Sequence, residues 1–507
     1  MSLLKSGDSS SPFFFLSQGG SSKLFKEFKR YIKQYGLFGK SVSILVAVSG
    51  GPDSICLLNL LFLLKKKWDL DLKVAHFNHA LRGEASNIEA AFVKDLCEEN
   101  KIEFFLDTGN VKGLAKEQGL SIQEAARVLR YDFFKKIKKE KDIDFIATGH
   151  TADDQAEEVL FRLIRGAGLE GICGILPKRE DGVIRPLLFA QKSQIIDHLK
   201  MFNIPYIVDS SNLTTKYSRN KVRHLLLTTI KKELNPSIVK TLFRTTSLLQ
   251  EDELILKKLS FNAKSTSLLN FDELEEDIRA FDIKRLIKEP SAIRRRVFKI
   301  ALSELGFNER RLLADHLISA DKLVASSKPS GFYTLPYDFF ILKCNDLIFF
   351  IKNWSKFKAK LDPGPLKDGI IIKGPTKLEL SGDLGTIQIE QFQNIEKIDF
   401  SVKRSNRTLY LDGNKASFPF VIRKRRPGDR FLPLGFSKPI KIKDFLINRH
   451  IPRFFRDLVP IVEKDQDILA ICNIEINEHY KVSGKNVIKI QWQPKGLLKV
   501  IQSAISY

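Results

Sequence analysis

The feature that most constrains this chain is an apolar run, Ser43 to Val48, that ends in Ser49-Gly50-Gly51-Pro52-Asp53-Ser54 and passes at once into an apolar stretch reaching Lys65. A short run with no polar alternation suits a strand buried on both faces, as in a parallel sheet. The pattern then repeats. Leu72 to Phe77 reads as a second strand, Asn87 to Asn100 as a helix and Ile102 to Leu106 as a third strand. Ser121 opens a helix with Glu124 three residues on, the spacing of a capping box. Ile143 to Thr148 is a further strand and Asp153 to Arg165 a further helix. Strands alternating with helices in this way build βαβ units, so the expected fold is α/β, a doubly wound parallel sheet.

In an open parallel sheet ligands bind beyond the carboxyl ends of the strands, so the turn at Ser49 to Ser54 is where a nucleotide would sit. Gly50 and Gly51 let the backbone approach a phosphate, and the helix begun at Pro52 points free N–H groups at the anion. Ser49 and Ser54 are expected to add hydroxyl donors. Asp53 is out of place among anion ligands; its expected use is to hold Mg²⁺ or brace the turn, and Asp153 is taken as a second Mg²⁺ ligand. The motif has neither the lysine of a Walker A loop nor the glycine spacing of a dinucleotide fingerprint.

The 507 residues leave room for further domains. The parallel-sheet unit is placed at 40–235, behind an extension and leading helix at 1–39, within which Met1 to Gly20 reads as loose. In 236–330 Leu and Ile fall at helical spacing, and Ile293 to Leu302 reads as a basic amphipathic helix, so a small helical domain is expected. Strand-like runs mark 331–414 as a connecting region, with Asp362 to Gly374 as a linker or turn. The last region, 415–507, reads as a mixed α+β, basic C-terminal domain with a short helix around Asp444 to Asn448. No apolar stretch nears the ~18–20 residues of a membrane span, and the expected location is the cytoplasm. No interface signal stands out, so the oligomeric state is left open, a homodimer included.

Lysine and arginine total 83 against 60 Asp and Glu, a net charge of +23, which favours a polyanionic partner. The charge is dense from Val421 to Asp457, where eleven basic residues face three Asp for a net +8. Phe431, Phe436, Phe445, Phe454 and Phe455 interleave with them. Most of these rings read as core and most of the cations as RNA contacts, with Arg425, Arg426, Arg430 and Lys441 chosen. Arg294 and Arg295, in a basic run of the helical region, are a second RNA candidate. The five cysteines, Cys56, Cys97, Cys173, Cys344 and Cys472, form no CxxC pair. They read as buried hydrophobes of a reducing compartment, not as disulfide, zinc or iron–sulfur ligands.

The phosphate loop in this context resembles that of the PP-loop ATP pyrophosphatases, which split ATP between its α- and β-phosphates. Further segments narrow the likeness: His76-Phe77-Asn78-His79-Ala80-Leu81-Arg82-Gly83, Gln123-Glu124-Ala125-Ala126-Arg127 with Arg130-Tyr131, Thr148 to Glu157, Arg219-Asn220 with Arg223, and Arg425 to Phe431. Together they are similar to the bacterial tRNA(Ile)-lysidine synthetase family. That resemblance implies adenylation of a wobble cytidine in a CAU anticodon of tRNA(Ile), followed by displacement of AMP by free L-lysine, with ATP and Mg²⁺ as cofactors. It places His76, His79 and Arg82 in the wall of the ATP site with residues 49–54. Asp154 and Glu157, which share a helix face, suit the ammonium groups of lysine. His150 is a candidate general acid or base, and Arg127 a candidate for the charge developing at the adenylate. Arg130 is assigned to tRNA. An arginine at 219 or 223 suits either the lysine carboxylate or RNA; Arg219 is taken with lysine and Arg223 with tRNA. The family's usual Thr after the DDQxE motif's Glu is Glu158 here.

Three rivals compete. A tRNA thiolase on the same scaffold usually needs a catalytic cysteine pair or an iron–sulfur site, which the scattered cysteines disfavour. An amidating ligase with a small-molecule substrate leaves the charge unexplained. A non-catalytic RNA-binding module is disfavoured by the intact motifs at Ser49 to Ser54 and Asp153 to Glu157.

Overall fold

The computed structural model describes residues 14–78, 84–207, 218–393 and 408–504. The chain divides into two compact units, Met1–Ile255 and Leu256–Tyr507. In the first, α1 (Lys23–Gln34) leads into β1 (Ser43–Ala47) and α2 (Pro52–Trp68). There follow β2 (Asp71–Asn78), α3 (Glu84–Glu99), β3 (Glu103–Thr108), α4 (Val111–Gln118), α5 (Ile122–Glu140), β4 (Phe145–Ala147), α6 (Ala152–Ile164), α7 (Leu169–Ile172), β5 (Val183–Ile184) and α8 (Lys192–Met201). The capping box expected at Ser121 and Glu124 starts α5.

The strands pair in parallel in the order β3-β2-β1-β4-β5. The winding reverses between β1 and β4, so the crevice at their carboxyl ends is the switch point where such sheets bind ligands. Alternate residues of β1 serve both faces. Ile44 and Val46 join side chains of α1, α2 and α8 in one core, and Leu45 joins Tyr131, Phe134 and Ile137 of α5 in the other. Two buried faces explain the unbroken apolar run.

The N-terminal segment is not loose from residue 14 onward. Phe14–Ser17 forms a 3-10 turn and Leu16 is fully buried. The carbonyls of Leu16 and Gln18 each accept a hydrogen bond from Asn59 Nδ2 at 3.0 Å. Asn59 Oδ1 lies 2.9 Å from His198 Nε2 on α8. A buried amide inside an apolar helix must be matched by such partners, and the polar break at Asn59 is the sequence signal for the segment that docks there.

In the second unit, Leu268–Leu269, Ile278–Asp282, Leu347–Ile351, Phe339–Cys344 and Ser330–Leu335 pair antiparallel in that spatial order. The helices Ser291–Glu304 and Ala314–Ala325 pack on one side, against Phe281, Ile341 and Phe350. The region expected to be helical therefore shares a sheet with the region expected to connect it onward. Two more antiparallel sheets, with Phe420–Arg423 and Val487–Gln493 among their strands, enclose a core that holds Phe420, Phe455 and Trp492. Asp362 to Gly374 is not a free linker, because Leu366 and Ile372 are buried in that core.

Phe431, Phe445 and Phe455 are core residues, while Phe436 is 48% exposed; the side chain of Phe454 lies outside the described residues. All five cysteines are buried and free, as expected. Among the described residues no helix is long and apolar enough to cross a membrane.

Candidate functional site

The loop after β1 is braced from within. Ser49 N–H donates to Ser54 Oγ at 3.1 Å, and Ser54 Oγ donates to the Gly51 carbonyl at 2.9 Å. Ser54 is therefore the brace of the turn, not the free phosphate donor expected from sequence; Ser49 is exposed, and its Oγ lies 3.2 Å from Ser54 Oγ, a contact it would exchange for a phosphate. Gly50 has φ +88°, a conformation glycine adopts without strain, and Pro52 starts α2. The loop after β4 comes so close that a Cβ on Gly149 would lie 3.1 Å from the backbone of Asp53. This close approach brings both strand ends to one crevice.

A cavity of about 350 Å³ opens there, with Ser49, Asp53, His76, Asn78, Arg130 and His150 in its wall. His76 Nδ1 lies 2.9 Å from the Val48 carbonyl, and burial lowers its pKa, so the neutral ring donates from Nδ1. His150 Nδ1 lies 2.9 Å from Thr148 Oγ1. Burial, aided by Arg185, Arg130 and Arg127 against the opposing pull of Asp154, takes His150 down to about 3. An imidazole held neutral so firmly is a poor general acid at neutral pH, which corrects the acid half of its expected role. Arg130, expected to be an RNA contact, lines this cavity instead, while Arg127 one turn earlier is exposed. His79 and Arg82 lie outside the described residues.

The acids of α6 divide by partner. Asp154 closes the helix's capping box: its Oδ2 accepts from Thr151 N–H and Thr151 Oγ1, each at 2.9 Å. Among the described residues its Oδ1 has only long contacts, to Arg223 at 3.4 Å and Lys192 at 3.9 Å. Burial opposes its charge, but Lys192, His150 and the Thr151 hydrogen bonds hold its pKa below the ordinary value. Glu157 is buried and gripped by Arg223, whose Nε and Nη2 reach its two oxygens at 2.5 and 3.0 Å. Arg223 is thus an internal partner, contrary to its assignment to tRNA. The same grip leaves Asp154, rather than Glu157, with an oxygen loosely held. Glu158 pairs with Arg162 at 2.6 Å along the helix. The side chain of Arg219 lies outside the described residues.

Asp153 turns away from this group. Its Oδ2 accepts from the backbone N–H of Lys192 at 2.8 Å and its Oδ1 meets Lys231 at 3.2 Å. Both oxygens are engaged by the protein, so it does not fit the Mg²⁺ role expected of it. Asp53 does fit. Burial pushes its pKa up to about 6, with Asp154 and Asp153 adding to the shift and Lys192, 3.8 Å away, opposing it. A crowded carboxylate beside a phosphate loop, with Asp154 close by, is a hard oxygen donor suited to a Mg²⁺ that takes its other ligands from phosphates and water. Lys192, the first residue of α8, had no motif to announce it.

In the second unit Arg294 is not an RNA contact. It is buried, paired with Asp321 at 2.6 and 3.1 Å, and donates to the Glu289 carbonyl. Arg295 is half-buried. Arg426, Arg430 and Lys441 are exposed, as are Lys438, Lys443 and Arg453. Arg425 is half-buried and ion-paired with Asp457.

Both units of the chain are similar to known proteins. Residues 21–230 match the family model of the PP-loop domain and residues 420–492 that of the TilS substrate C-terminal domain. The tRNA(Ile)-lysidine synthase of Caldanaerobacter subterraneus is 32% identical over 462 residues, covering 91% of this chain and 95% of that protein. Its counterpart in Clostridioides difficile is 32% identical over 467 residues, covering 91% and 97%. A crystal structure of a TilS C-terminal domain is 26% identical and covers 25% of this chain and 97% of that one, with a TM-score of 0.22.

Proposed function

This chain belongs to the tRNA(Ile)-lysidine synthase family, and from that premise we propose how its residues carry the reaction. The protein is an ATP-dependent ligase that joins lysine to the wobble cytidine of the CAU-anticodon tRNA(Ile). The cytidine O2 attacks the α-phosphorus of ATP and pyrophosphate leaves. The ε-amine of lysine then attacks C2, losing a proton, and AMP departs with the former O2.

The observation that carries the assignment of roles is the meeting of Asp53, Lys192 and Asp154 at the β1–β4 switch point, with Lys192 Nζ 3.8 and 3.9 Å from the two carboxylates. The exposed Ser49 hydroxyl and the N-terminus of α2 hold the triphosphate, with residues 50–54 shaping the turn. Mg²⁺, held by Asp53 with Asp154 beside it, would neutralise phosphate charge. His76 and His150, both neutral, offer hydrogen bonds to the bases in the cavity, and Arg130 faces the phosphate charge that develops at adenylation. Asp154 Oδ1 takes an ammonium group of lysine, and Glu157 holds Arg223 in place behind it. The exposed cations Arg426, Arg430 and Lys441 contact tRNA phosphates in the second unit. The site of action is the cytoplasm, where tRNA, ATP and lysine meet.

The test is pyrophosphate release with ATP, lysine and a CAU-anticodon transcript, each omitted in turn. Release is expected to require the transcript, and AMP to accumulate only when lysine is present. Release indifferent to the transcript would reject the reading.

A further inference from the structure

The cavity has a second bank. The ring of Tyr131 on α5 is flanked by guanidinium groups: the Cζ atoms of Arg127, Arg130 and Arg179 lie 5.1, 5.8 and 5.4 Å from its centroid. Arg185, directly after β5, is buried and close enough for its charge to be influenced by Tyr131. Its Nη1 donates to the Leu176 carbonyl, and its Nε is buried without a partner among the described residues. Four positive charges gather here. Asp181 pairs with Arg179 at 2.5 Å, and among the described residues no carboxylate pairs with Arg127, Arg130 or Arg185. Like charges held together around one ring in a partly buried site point to an anion that joins them.

The cluster is graded. Arg127 is exposed, Arg179 half-buried, Arg130 in the cavity wall and Arg185 fully inside. The polyphosphate of ATP already has a seat on the other bank, at the loop before α2. A pyrimidine inserted into a pocket draws its flanking phosphates to the mouth, and a guanidinium lying over an aromatic face is a preset fork for phosphate. We propose that Arg179, together with Arg127 on the same Tyr131 ring, clamps a backbone phosphate flanking the target cytidine. This rests on the reading of the cavity given above and adds Arg179, which no sequence motif singled out.

Phosphate reaches such a site either from RNA or from the nucleotide and its pyrophosphate, and the two are separable. Arg179→Gln and Arg127→Gln would be titrated with a fluorescent CAU anticodon stem-loop across salt concentrations, and separately with a non-hydrolysable ATP analogue and with pyrophosphate. The expected result is a several-fold weaker stem-loop affinity for each variant. The log–log salt slope should flatten by up to ~0.7 units for one lost single-strand phosphate contact, with analogue affinity as in the parent protein and partial recovery in Arg179→Lys. Unchanged stem-loop affinity and slope in a folded variant would overturn the clamp. So would a loss confined to the analogue or to pyrophosphate, which would give the cluster to the nucleotide. Arg127, being exposed, supplies the variant whose fold is least at risk. Because binding is read without turnover, failure of lysine-dependent AMP release in the parent protein would sink the reaction without deciding the clamp.

Discussion

Arg223 and Arg423 are each set between two carboxylates, one in each unit, and the two arrangements end differently. Arg423, 4% exposed, has four of its five N–H donors matched: Asp429 takes both Nη atoms at 2.8 and 3.0 Å, Glu463 takes Nε, and the Lys424 carbonyl accepts a further bond at 3.0 Å. Asp429 also accepts the Arg426 N–H at 2.6 Å, which fixes the loop that presents Arg426 and Arg430. Around Arg223, 26% exposed, the described acids outnumber the described cations. Among the described residues Asp154 shares Arg223 with Glu157 and Lys192 with Asp53, Asp153 pairs with Lys231, and Lys192 at 3.8 Å is the one ion-pair partner of Asp53. A balanced buried network holds a loop still. An unbalanced one is completed by ligands, and its residual charge is where chemistry is expected.

The sharpest way to break this contrast is at Asp53. Asp53→Asn should abolish transcript-dependent pyrophosphate release, a loss of at least ~10³-fold, while tRNA affinity, carried by phosphate contacts to other residues, stays within about twofold. The same substitution removes a carboxylate pushed from 3.8 to about 6, so in Mg²⁺-free buffer at pH 7 it should raise stability by up to about 3 kcal/mol. A lowered melting temperature would deny that the acid cluster is strained. At the balanced site the sign reverses. Arg423→Gln strands two carboxylates and should destabilise by ~3–5 kcal/mol in urea melts.

Smaller effects sharpen the contrast further. Arg426→Gln and Arg430→Gln should each flatten the salt dependence of tRNA binding by up to ~0.9 log units. Arg425→Gln should do less, because Asp457 already occupies that guanidinium; equal slopes for all three would count against the distinction. A further effect is on pH. His150 titrates at about 3 in the fold against 6.5 ordinarily, so the unfolded chain binds more protons between those values. Its contribution to stability is complete above pH 6.5 and is lost as pH falls toward 3. Asp53 acts oppositely between 3.8 and about 6, where the folded protein binds more protons. His150→Gln should therefore soften the acid limb of the melting curve, and a steeper limb would contradict the assignment.

The parallel sheet and its phosphate turn were legible because both arise from local patterning: apolar runs, a capping box at Ser121, glycines next to a helix start. What escaped is settled by contacts distant in the chain. Arg294 and Arg223 carry the same charge as Arg426, and only the placement of Asp321 and Glu157 makes them internal. Lys192 reaches Asp53 across 139 positions and belongs to no motif. The strand Ile278–Asp282 was masked by its helical neighbours, since five residues leave little room for a period of two to show.

Asn59 sits mid-way along α2, whose first turn bears Asp53, and its amide ties that helix to α8, whose first residue is Lys192. The alignment of the two reactive head groups is thereby governed from the back of the molecule, like two levers pinned at a common fulcrum. Trimming the chain past Gln18, or replacing His198, would slacken that fulcrum and put the ammonium and carboxylate out of alignment without altering a single residue that faces substrate.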